Sequence, residues 1–81
     1  MRITKNILGE KVKYLNYLIK ATEGQPNSFE LEYAYGGVRL CKRCEGGGYS
    51  DLSARVKLVE MAVILDTLEY AILKMELVKK S

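Results

Sequence analysis

Two cysteines three residues apart, followed by three glycines, are the first residues whose types and spacing suggest chemistry: Cys41-Lys42-Arg43-Cys44-Glu45-Gly46-Gly47-Gly48. Paired thiols can ligate zinc or cycle as a dithiol. Structural zinc takes four thiolate or imidazole ligands, and the chain has no histidine. One chain therefore supplies two ligands, and a complete site needs Cys41 and Cys44 from each of two chains on a dimer axis. A redox dithiol usually sits at a helix N-terminus, where the thiol pKa falls. This pair lies in a predicted strand instead. Residues three apart on a strand point to opposite faces, so Cys41 is expected outward and Cys44 inward. The plainer reading is one exposed and one half-buried free thiol, with no metal and no cofactor.

The same eight residues fit C-x-x-C-x-G-x-G, which resembles one repeat of the zinc-binding region of DnaJ-type chaperones. Those chaperones carry four repeats and use two per zinc. This chain has one.

The segment Gly46-Gly47-Gly48-Tyr49-Ser50-Asp51 leads toward a predicted helix. Glycine-rich loops before helices can present N–H groups to an anion. The spacing matches neither a P-loop nor a dinucleotide fingerprint, and Asp51 would repel a phosphate. A connector whose Asp51 or Ser53 caps the helix is the simpler expectation. Arg55 would oppose the helix dipole there, which suggests a contact with Asp51 or with a partner. Arg39, Lys42 and Arg43, with Tyr35 and Tyr49, could form a basic aromatic patch for nucleic acid, unless Glu30 and Glu32 neutralise it. The six tyrosines, against one Phe and no Trp, suit half-buried surfaces with a polar tip. Lack of histidine removes the commonest general base. No catalytic constellation stands out, and the expectation is a non-enzyme.

The elements that must position these residues follow from periodicity. Leu8, Val12, Leu15 and Ile19 form a helical stripe within a helix over 4–22. Thr4 or Asn6 is the candidate N-cap, and Gly24 lies where a helix usually stops. Residues 29–44 alternate as a two-stranded antiparallel hairpin. A turn at Gly36-Gly37 pairs Tyr33 with Leu40 and Glu30 with Arg43, and a turn at Tyr35-Gly36 shifts the pairs by one. Either way Phe29, Leu31, Tyr33, Val38 and Leu40 share the core face, and Glu30, Glu32, Arg39, Cys41 and Arg43 share the other. A glycine-rich loop spans 45–53, and a long helix spans about 54–79.

In that helix Leu58, Met61, Leu65, Leu68, Ile72 and Met75 follow three-four spacing, a bundle-like seam. Val59, Val63, Leu73 and Leu77 add a second apolar side, and Glu76 is placed to pair with Lys79 or Lys80. Roughly 23 residues span about 35 Å, longer than the ~30 Å diameter expected of a globule of this size. One short helix and a hairpin cannot cover both sides of such a rod. The six seam residues are therefore the candidate interface of a homodimer.

The 81 residues make one α+β domain, helix–strand–strand–helix, with 13 Lys and Arg against 10 Asp and Glu and a net charge of +3. That charge neither requires nor excludes nucleic acid. Two cysteines are too few for a secreted disulfide scaffold. With no signal-like apolar core near the start, a cytoplasmic chain is expected. The longest apolar run, Met61 to Leu65, is far short of the ~20 residues of a membrane span.

Leu15-Asn16, Gly24-Gln25-Pro26, Ala34-Tyr35-Gly36-Gly37, Leu40, Gly46-Gly47-Gly48, Asp51, Ser53 and Arg55 together resemble a series in small uncharacterised proteins of gut Bacteroidetes and their phages. The resemblance runs from Leu15 to Arg55, about half the chain. It implies a phage or mobile-element setting and no particular activity. The function expected from the residues is a homodimeric protein-interaction module. Its partner-binding candidates are Tyr35, Arg39, Arg43, Tyr49, Asp51 and Arg55. The alternative is a nucleic-acid-binding accessory or regulatory protein using the basic hairpin face.

Overall fold

Helix α1 (Lys5–Leu18) starts at Thr4, whose extended backbone and side-chain oxygen cap the helix by accepting from the Ile7 N–H. In this computed structural model the backbone of residues 2–80 and the side chains of residues 2–75 are described. The expected pairing of Glu76 with Lys79 or Lys80, and the place of the Leu77 side chain, lie outside the described residues.

The helix ends four residues before the expected Thr22. Lys20 takes a left-handed φ of 59°, the Ala21 N–H donates to the Asn16 carbonyl, and the Lys20 N–H donates to that of Tyr17. These bonds form a Schellman termination with a lysine where glycine is usual. Gly24 lies in the turn that follows.

Strands β1 (Phe29–Ala34) and β2 (Gly37–Arg43) form the expected hairpin, turning at Tyr35-Gly36. Tyr33 faces Val38, Glu32 faces Arg39 and Glu30 faces Cys41. The chain then departs from the two-stranded expectation. Residues 45–48 make a second reversal, and Tyr49–Asp51 form β3, antiparallel to β2. The sheet has three strands in the order β1-β2-β3. The glycines serve this reversal: Gly46 adopts φ 91° while the Gly47 N–H closes onto the Cys44 carbonyl, a conformation that costs other residues a steric clash. Three residues of strand were too short to register as alternation beside a glycine run.

Beyond β3 the chain stays beside β2. The Leu52 N–H donates to the Leu40 carbonyl, and Val56 exchanges both backbone bonds with Val38. Ser53 bulges out between them; its hydroxyl accepts from the Leu40 N–H and donates to the Ala54 carbonyl. Neither Asp51 nor Ser53 therefore caps a helix. Gly37 is pressed against this segment. It holds φ 133°, and a Cβ there would collide with the Val56 carbonyl oxygen.

Helix α2 (Leu58–Lys80) starts later than expected, with Glu60 accepting from the Lys57 N–H, half of a capping box. Both helices pack on one face of the sheet. Leu8, Val12 and Leu15 of α1, Met61, Ala62 and Leu65 of α2, and Phe29, Val38 and Leu40 of the sheet make the core. A Lys11–Asp66 pair at 2.6 Å ties the two helices at the surface. Among the described residues, no helix is long and apolar enough to cross a membrane.

Candidate functional site

With both helices on one side, the other face of the sheet is open, and its parity collects the charged residues. Arg39 donates from Nη2 to Glu32 at 2.7 Å and from Nη1 to Asp51 at 3.1 Å. Arg43 reaches diagonally to Glu30 at 2.8 Å and to the Tyr49 hydroxyl at 2.8 Å, with its guanidinium 5.1 Å from the Tyr49 ring centroid. Arg55 closes the cluster from the segment beyond β3. It donates to Glu32 Oε1 at 2.7 Å and to the carbonyls of Glu32 and Gly37. Its partner is thus Glu32, while Asp51 is taken by Arg39. Five of the six partner-binding candidates therefore come together: Arg39, Arg43, Tyr49, Asp51 and Arg55. Tyr35 stands apart at the tip of the hairpin, fully exposed.

Three arginines meet three carboxylates on this face. Hydrogen bonds from Arg55 and Arg39 hold the Glu32 carboxyl below its ordinary range. The same bonding raises Arg39 through Glu32, and Arg43 through Glu30. The guanidinium groups stay charged and directed at their own chain.

Cys41 lies under this cluster. Its parity is outward as expected, yet it is 3% exposed: Asp51 and Arg39 bond to the thiol, and Glu30 and Tyr49 flank it. The thiol donates to Asp51 Oδ1 at 3.7 Å. Burial pushes its pKa up, and hydrogen bonding with Arg39 opposes the shift in part. A protonated, covered thiol is a poor nucleophile. Cys44, half-buried, directs its sulfur to the Lys42 carbonyl at 3.9 Å. Both cysteines are free, and the two thiols use different partners.

The dimer candidates divide. Met61 and Leu65 are 0% and 1% exposed within their own chain. Leu58, Leu68 and Ile72 pack partly against the same core. Only Met75, at 60%, lies open. The seam that looked free faces α1 and the sheet. Besides Met75, the large apolar residues of α2 that lie uncovered among the described residues are Val59, Val63 and Leu73 of the second side, joined by Tyr70. Of these, Val63 lines an open groove of about 450 Å³, together with Leu40, Leu52, Ile64, Thr67, Leu68 and Ala71. Leu52 and Thr67 were not singled out from sequence. A leucine inside a glycine-serine stretch and a threonine inside a helix carry no periodic signal until β3 is known to exist.

Comparison of the chain with protein families, with curated proteins and with solved structures finds no match in any of the three.

Proposed function

We propose that the protein is a non-enzymatic interaction module that pairs with a second copy of itself through the exposed apolar side of α2. One observation carries this reading. The groove between α2 and the sheet has no charged residue in its lining, and Val63 in its wall stands 62% exposed, with Val59 one turn before it 60% exposed. Fully burying a valine or leucine side chain stabilises by about 1.5–3 kcal/mol, so a cover is favoured. The exposed stripe of the same helix on a second copy has the matching chemistry, and a two-fold axis presents it to both grooves at once. In this arrangement the sheet face remains available to a protein partner. The phage or mobile-element setting and a cytoplasmic location belong to the same proposal, the latter supported by the two free cysteines.

The nucleic-acid reading has less support, because Arg39, Arg43 and Arg55 are each held by acids of their own chain. Light scattering across a range of concentrations tests the proposal, with the wild type and with Val63→Glu. The expected result is twice the chain mass for the wild type and a monomer for the variant. A wild type that stays at one chain mass at high concentration overturns the pairing.

A further inference from the structure

The free edge of β1 has two unused backbone positions beside a groove, and the charge of the strand selects what fits there. In an antiparallel pair, alternate residues turn their N–H and C=O toward the neighbouring strand. On β2, Val38 and Leu40 turn theirs toward Val56 and Leu52, so Arg39 and Cys41 turn theirs toward Glu32 and Glu30 of β1. The backbone groups of Phe29, Leu31 and Tyr33 therefore point off the sheet. Phe29 is closed by its own chain: its N–H donates to Asn16 Oδ1 at 2.7 Å and its carbonyl accepts from Asn16 Nδ2 at 3.2 Å. Asn16 thus occupies the place of a next strand for one residue and then stops. Among the described residues, none bonds the outward backbone groups of Leu31 and Tyr33 in this way.

Alongside them runs a groove of about 290 Å³ between α1 and β1, whose walls include Gly9, Val12 and Leu31. Its charged lining is balanced, Lys5 and Lys13 against Glu23 and Glu30, and the Lys5 ammonium lies 4.8 Å over the Tyr33 ring. At Gly9 there is room for a side chain, since a Cβ there would meet nothing within 4 Å. On the opposite surface of β1, Glu30 uses only Oε2 and Glu32 only Oε1 in the contacts described above. One oxygen of each carboxylate is left for a cation from a strand on the far side.

We propose that the free edge of β1 takes an extended segment of a partner protein, in which apolar residues alternate with lysine or arginine, as a fourth strand. The apolar residues enter the groove over Val12, and the basic ones lie beside Glu30 and Glu32. Adding a strand to an open edge is an established mode of peptide capture. A second copy fits poorly. In the registers that pair Leu31 with Leu31 or Tyr33 of another chain, Glu32 meets Glu30 or Glu32, and like charges directly opposite are unfavourable. The inference does not depend on pairing through α2.

The test uses the full chain and a seven-residue capped peptide alternating Lys and Val, with an alternating Glu and Val peptide as control. Saturating Lys–Val peptide is expected to slow amide exchange of Leu31 and Tyr33 at least about tenfold, while the Glu–Val peptide leaves it unchanged. Methylating the amides of either the valines or the lysines is expected to abolish binding, depending on strand direction. Gly9→Leu fills the groove while removing a poor helix former, so it is expected to fold and to weaken the peptide at least about tenfold. No slowing at Leu31 and Tyr33, equal binding by the Glu–Val peptide, undiminished binding by both methylated forms, or an unaffected Gly9→Leu variant would each overturn the proposal. Exchange that slows with protein concentration alone would assign the edge to a second copy, and overturn it too.

Discussion

On the outer face of the sheet, Arg39, Arg43 and Arg55 each have an acid of their own chain within 3.1 Å, whereas along the outer side of α2 apolar residues lie open beside a groove without charge. Pattern along the chain offers both surfaces for binding, the basic hairpin face to a partner and the three-four seam of the helix to a second copy. The difference is one of completion. A salt-bridged face has already satisfied its strongest interactions internally, and exposed ion pairs of this kind contribute little net energy. The apolar side of α2 can be satisfied only from outside the chain.

The largest expected effect severs the link between the two regions. Gly37→Ala places a methyl against the Val56 carbonyl at a positive φ, breaking the bridge that carries the chain from the sheet to α2. A loss of about 3 kcal/mol or more is expected, read as a lower urea midpoint. Next in size is the contrast between Val63→Glu and Arg43→Glu. The first is expected to weaken association at least about tenfold, or ~1.4 kcal/mol, at nearly unchanged fold stability. The second should leave the mass in solution unchanged, since Arg43 is engaged with Glu30 and Tyr49. Equal effects of the two would erase the distinction between the faces.

A smaller effect concerns pH. The folded Glu32 carboxyl titrates below its ordinary value, so its contribution is complete above the carboxylate range and disappears as pH falls through the folded value. Glu32→Gln should therefore lower the urea midpoint at pH 7 and have less effect near pH 3. The smallest effect is on thiol reactivity. At pH 8 a thiol reagent should modify Cys44 readily and Cys41 only on unfolding, because Cys41 is covered and its pKa is raised. The sign is opposite to that of Glu32. Cys41 favours the fold below the ordinary thiol range and ceases to do so as pH rises through its folded value.

Much of the scaffold was legible because it rests on local pattern. The α1 stripe, the Thr4 cap and the two faces of the hairpin follow from periods of 3.6 and 2, and a one-residue shift of the turn left every face intact. The end of α1 was not legible, because Lys20 takes the left-handed place usually filled by glycine, and no local propensity announces that. β3 was hidden by its length and by the glycines before it. Once missed, it took with it Leu52, the bulge at Ser53 and the true partner of Arg55. The gathering of Arg39, Arg43, Tyr49, Asp51 and Arg55 was anticipated as a set of residues, and so was neutralisation by Glu30 and Glu32, but the pairing of Asp51 with Arg39 was not.

The amino-acid sequence by itself determined the types of α1, β1, β2 and α2, the polarity of each hairpin face and the excess of apolar surface on α2, since each depends on residues close along the chain. Tertiary structure alone decided which side of α2 is spent on the core, that Cys41 is covered, and that β1 keeps an open edge. Those outcomes depend on which surfaces meet across long stretches of chain, and two apolar stripes of one helix are equivalent until a sheet and a second helix choose between them.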